Sequence, residues 1–166
     1  MPEALLITRT DLVRLTALGG NVDTDKFIQF IKIAQDIHIQ GYLGTRLFDR
    51  IKDDIENDTL ANPYLSLLEK YIKPMLIHWA MVEYLPFAAY NIANKGVYKH
   101  TAENSESVEK TEVDYLVEKE RDIAQHYTQR FLDHMSNNSA DYPEYNTTSG
   151  EDMYPNKNNF FKGWYL

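Results

Sequence analysis

DKFIQFIKIAQDIHIQGYLGTRLFDRIKDDI, residues 25–55, decides the fold. It reads as a helix, a break bounded by Gly41 and Gly44, and a second helix capped by Thr45. At about 100° per residue, Phe27, Ile28, Phe30, Ile31, Ile33, Ala34, Ile37 and Ile39 cover roughly two thirds of the first helix. A helix lying on a single core needs an apolar stripe of only about 100° or somewhat more. This one must touch several neighbours, either in a surrounding bundle or on other subunits.

Upstream, Thr8 or Thr10 can cap a short helix over Asp11 to Leu18, which Gly19-Gly20-Asn21 would end. Asp23 or Thr24 then starts the helix that runs to about Gln40, and the helix after the break runs from Thr45 to about Asn57. Asn62-Pro63 is a cap followed by proline at the first helical position. From Pro63 the helical pattern continues to about Asn94, and a kink or short break is expected near Pro74 and near Pro86. The stretch between these prolines is almost wholly apolar and should be the buried centre. Val97 to Ser107 reads as an exposed loop, and a last long helix is expected over about Val108 to Asn138, with Glu109, Glu112 and Asp114 at its positive end. The resulting fold class is all-α: a compact bundle of about five helices over residues 1–138, with an extended aromatic-rich C-terminal arm over residues 139–166.

Composition narrows the function classes. At 166 residues with 43 % apolar and 13 % aromatic content, the chain can bury a real core. It has no Cys, which excludes disulfide scaffolds, thiolate metal sites and Cys nucleophiles. No apolar run reaches membrane-spanning length, and MPEALLITRT lacks the layout of a signal peptide, so no membrane role is expected. The net charge is −8 without any Lys/Arg cluster, which argues against gripping nucleic acid by its phosphates. Such a surface suits a wall that DNA slides past, although ordinary solubility charge explains it too.

Chemistry-bearing patterns are scarce. His38 falls inside the apolar arc of its helix and reads as a core histidine, while His126 and His134 stand two turns apart, too far to share a metal. The metal-ligand, nucleophile-elbow and phosphate-loop spacings are absent, so no catalytic, cofactor or metal residue is assigned and no enzyme activity is expected. The arm is different. A solvated tail should be poor in aromatics, yet this one carries Tyr142, Tyr145, Tyr154, Phe160, Phe161, Trp164 and Tyr165 before the terminal Leu166. These eight residues are the candidate partner-binding set. They either fold back on their own domain or dock on a neighbour.

Four segments carry a resemblance: DTDKFIQFIKIAQDIHIQGYLGTRLFDRI, NPYLSLLEKYIKPMLIHWAMVEYLPF, KGVYKHTAENSESVE and EKERDIAQHYTQRFLDHM. An AQ-containing helix leading into an LGTRLF turn, then a proline-bearing helix, a KGV loop and a charged helix, resembles the head–tail connector (adaptor) proteins of tailed bacteriophages. The resemblance is especially to those of crAss-like and other Bacteroidetes phages. The similarity spans about residues 5–135. It implies a homo-oligomeric, dodecamer-like ring in the virion neck, below the portal protein and against other neck and tail proteins. DNA would pass through its channel without specific binding. The protein would be made in the host bacterial cytoplasm, with no cofactor. Without the resemblance, a monomeric α-helical protein-binding or regulatory module fits the same residues.

Overall fold

The computed structural model describes residues 4–15, 24–88, 90–93, 96–99, 109–147 and 152–158. Helix α1 is Arg9–Leu15. Its first turn is fixed reciprocally: Thr8 donates its backbone N–H to Asp11 Oδ2 at 2.9 Å, and Asp11 returns its N–H to Thr8 Oγ1 at 3.3 Å. Lys73 then ties the same carboxylate to the bundle at 3.2 Å. Burial alone would raise the Asp11 pKa, but donation from Thr8 and Lys73 holds it below the usual value.

The first half of residues 25–55 forms α2, Thr24–Ala34, which widens into a π-helical turn over Gln35–Ile39 and closes as α3, Gln40–Leu43. After Gly44 the chain restarts as α4, Thr45–Glu56. Then come α5, Tyr64–Leu67, a second π-helical turn over Leu68–Ile72, and α6, Lys73–Tyr84. Pro74 sits at the start of α6, directly after the second π-helical turn, which is the irregularity found where a kink or short break is expected.

The second proline has a larger effect than a kink. The helix ends at Tyr84, a 3-10 turn carries Pro86, and strands β1, Tyr90–Ala93, and β2, Gly96–Lys99, follow as an antiparallel pair. The helix expected to reach Asn94 is therefore shorter, and the start of the expected loop at Val97 is strand. Pro86 cannot continue the ladder, and Tyr90, Ile92, Val97 and Tyr98 are residue types that favour an extended backbone. Helix α7, Lys110–Asn138, is capped by Glu109 and Glu112 in a reciprocal box and is about 43 Å long at 1.5 Å per residue. A 3-10 turn, Ser139–Asp141, and helix α8, Pro143–Asn146, complete the helices among the described residues.

The architecture is all-α, with that one short β pair. α6 packs against both α2 and α7, and Met75, Leu76, Ile77, Trp79, Ala80, Met81 and Val82 on it are all buried. A helix apolar all round has to be enclosed in this way. Its one buried indole is satisfied, since Trp79 Nε1 donates to Thr128 Oγ1 at 3.0 Å and that hydroxyl donates to the Ala124 carbonyl at 2.7 Å. The core is continuous from Leu6 and Leu12 through Phe27, Ile31 and Leu47 to Phe131 and Met135.

Tyr142 and Tyr145 belong to that core, each about 3 % exposed, which corrects their assignment to an extended arm. The domain accordingly reaches beyond residue 138. The Pro, Asn and Ser residues after α7 build a tight turn and a short helix that fold the chain back. Tyr142 meets the Tyr64 ring edge-on at 5.7 Å, and Tyr145 meets Phe131 edge-on at 6.3 Å.

Candidate functional site

The break between α3 and α4 is where the sequence placed most weight, and the structure makes it a binding site for a later segment of the same chain. Gly44 adopts φ 76° and ψ 153°, a conformation essentially confined to glycine. A helix break leaves carbonyls unpaired on one side and N–H groups unpaired on the other. Residues 152–158 lie across it as a strap and satisfy both. Asn156 donates its N–H to the Gly41 carbonyl at 2.8 Å, and Thr45 donates its N–H to the Met153 carbonyl at 3.0 Å. Met153 N–H returns to Thr45 Oγ1 at 2.9 Å, while Gln40 Nε2 donates to the same hydroxyl at 3.0 Å.

Pro155 is the buried residue of the strap and sits on Gly44. A Cβ built on Gly44 would lie 2.6 Å from Pro155 Cδ and Cγ, so the glycine is needed for contact as well as for φ. The Gly-bounded turn seen in the sequence is thus a socket, and the strap is its plug.

A second polar cluster anchors α8. Tyr64 donates to Glu144 Oε2 at 2.6 Å, Arg50 lies 3.6 Å from Glu144 Oε1, and Arg50 Nε donates to Asp54 at 2.9 Å. Burial and the Glu144 carboxylate push the Tyr64 phenol up to about 12, so it serves as a donor and not as a base. This is an inter-helix clamp.

His38, His78 and His134 each bridge elements. His38 stacks on Trp79 at 4.1 Å with Nε2 2.8 Å from Glu83, and His78 stacks on Tyr127 at 5.3 Å with Nδ1 2.8 Å from Glu120. His38 is therefore a partly buried packing histidine with a satisfied nitrogen, at the edge of the core. His134 contacts the Tyr142 hydroxyl at 3.1 Å. No group of three metal-binding side chains occurs among the described residues.

Two helix faces remain apolar and open. On α2 and its π-helical turn these are Ile33 and, at 60 % exposure, Ile37, while Ile28 is exposed on another flank, about 140° round the helix; on α7 they are Tyr115, at 58 % exposure, with Leu116 and Ile123. The wide arc of the first helix thus divides into a core face and exposed flanks. Of the eight aromatic and terminal residues singled out in the tail, Tyr142 and Tyr145 are core and cannot meet a partner, and Tyr154 is exposed on the strap. Phe160, Phe161, Trp164, Tyr165 and Leu166 lie outside the described residues, as do Glu103 and Glu106.

A family model described as a family of unknown function, DUF6712, matches residues 39–153. The chain belongs to the DUF6712 family. The match opens at the end of the first π-helical turn and closes inside the strap, so this DUF6712 region includes both the socket and Met153. No curated protein and no solved structure matches the chain. The strap could not be found from sequence, because its hold on the socket rests largely on backbone groups and one proline. The only local signal was the pair of glycines on the socket side.

Proposed function

We propose that this protein is a structural component of the bacteriophage neck, whose copies assemble into a ring below the portal that extends the DNA channel and joins head to tail. The observation that carries this reading is the presence of two unlike exposed apolar faces on the helices that flank α6. One is aliphatic, with Ile33 and Ile37, and the other is mixed, with Tyr115, Leu116 and Ile123. A closed ring needs a heterologous contact, in which one patch meets a different patch of the next copy. The resemblance over residues 5–135 supplies the setting, and the net charge of −8 suits a channel through which DNA must pass without sticking.

In this reading the mechanism is assembly. It uses no turnover and no cofactor, and the two faces lie on helices packed against the buried α6. Mass spectrometry of purified virions tests it directly. Peptides of this chain should appear alongside those of the portal protein, in comparable amount. Their absence from virions that contain the portal would overturn the neck reading and leave a regulatory or binding module in its place.

A further inference from the structure

The socket reads the strap along most of its length. Gln40 Nε2 donates to Asp152 Oδ2 at 3.5 Å, and Met153 spends both its backbone N–H and its carbonyl on Thr45. Pro155 covers Gly44, and Asn156 donates to the Gly41 carbonyl. Lys157 Nζ stands 4.4 Å from the centre of the Tyr145 ring and 3.4 Å from Asn146 Oδ1. The site therefore selects an acidic residue, an extended step with its N–H and C=O turned to Thr45, a proline and a basic residue, in that order and spacing. A foreign segment would have to reproduce all of these. A second copy of the chain carries them by identity.

A strap so fully recognised is nevertheless lightly held. Within residues 152–158 only Pro155 is buried, while Met153 and Tyr154 are 39 % and 56 % exposed. Such a segment belongs to the low end of local opening free energies and can leave while the helices stay folded. Each copy carries one strap and one socket, so an exchange between copies remakes every contact that it breaks. Domain swapping has a low cost for this reason. What favours the chain's own strap is its tether, since only residues 148–151 stand between Thr147 and Asp152. A short tether gives an effective concentration in the millimolar range. That advantage vanishes where copies are held side by side at a comparable local concentration.

We propose that the socket over residues 41–45 takes the strap of a second copy, so that residues 152–158 are exchanged between neighbouring subunits and link them. The inference goes beyond the neck reading and does not rest on it, because it concerns any two copies brought together.

Disulfide trapping in the full chain tests it, because the chain has no Cys and introduced thiols are the only ones present. A Cβ on Gly41 meets nothing within 4 Å, so Gly41→Cys is accommodated, and Asn156 is its neighbour through the backbone bond. The doubly substituted chain, Gly41→Cys with Asn156→Cys, should close on itself in dilute solution and form covalent dimers and ladders at about millimolar concentration. At that concentration the two single variants, mixed, should form a disulfide joining positions 41 and 156 about tenfold faster or more than Gly41→Cys mixed with Glu118→Cys. Glu118 is exposed on α7 and reports random encounter. Pro155→Glu, added to the Asn156→Cys chain, should bring the rate down to that random level while leaving the receiving socket intact. Equal rates for the two pairs, or a link that survives Pro155→Glu, overturns the proposal. Failure of the doubly substituted chain to close in dilute solution overturns it as well, by showing that the strap is not seated at all.

Discussion

Gln35 has no exposed surface, and its side chain serves the backbone of a segment 29 positions upstream. Its Oε1 accepts the Leu6 N–H at 2.7 Å, and its Nε2 donates to the Ala4 carbonyl at 3.4 Å, so one amide replaces a strand neighbour for residues 4–6. Gln35→Met fills similar space but strands a buried N–H, which costs about 1–3 kcal/mol. An unfolding free energy lowered by that amount in urea titration, seen as a lower midpoint with helicity kept, is the expected result; an unshifted midpoint would show that Leu6 finds another acceptor. His134 makes the second prediction at this scale. Burial lowers its pKa below the ordinary 6.5, Asp141 opposes that shift, and Lys70 adds to it. The folded state then releases the proton more readily than the unfolded chain does. Its contribution is complete above about pH 6.5 and declines as the pH falls from there toward the folded value. Between pH 7.5 and 5.5 the parent should lose more stability than His134→Gln in denaturant titrations. Parallel losses would remove His134 as the cause. Neither role was legible beforehand. A lone Gln in an apolar helix and a His two turns from another look like incidental polar residues until their distant partners are known.

Elements were more readable than residues, and where they failed the cause is specific. The break at Gly44 and the long last helix follow from glycine and the 3.6-residue period, which are local signals, whereas Gly41 stays helical within α3 and the N-cap of α5 is Pro63, one residue later than expected. The β pair was hidden because each strand has only four residues, too few to establish a two-residue alternation against the helical run before it. Residues 139–147 were misread for a different reason. Pro, Asn and Ser there build a turn and a four-residue helix, but the same composition also describes an extended arm. The socket and strap allow a test at this scale. Gly44→Ala places a Cβ where Pro155 now sits and forces alanine into a conformation that costs about 1–3 kcal/mol. Amides of Thr45, Met153 and Asn156 should lose their exchange protection together, while those within α6 and α7 keep theirs. Retained protection at Asn156 would mean that the strap is held elsewhere.

At the scale of the molecule, the outcome is a bundle organised around α6, with the apolar surplus of the first helix left on the outside. The sequence pattern correctly indicated that this helix has more apolar surface than one core can use, and the exposed Ile33 and Ile37 are where the surplus lies. It could not show which part of the arm belonged to the core, because burial of Tyr142 and Tyr145 depends on Tyr64 and Phe131, far away in the chain. The strap has a consequence in time as well as in space. Met153 meets Thr45 across 108 positions, so every helix of the bundle is synthesised before the break between α3 and α4 can be closed. During translation the subunit carries its core helices with open backbone groups at Gly41 and Thr45. A product cut short before residue 153 would keep those helices while lacking the seal. Synthesis as far as the strap is therefore recorded at a site formed early, so a product carrying residues 152–158 differs from one lacking them in the state of a single turn.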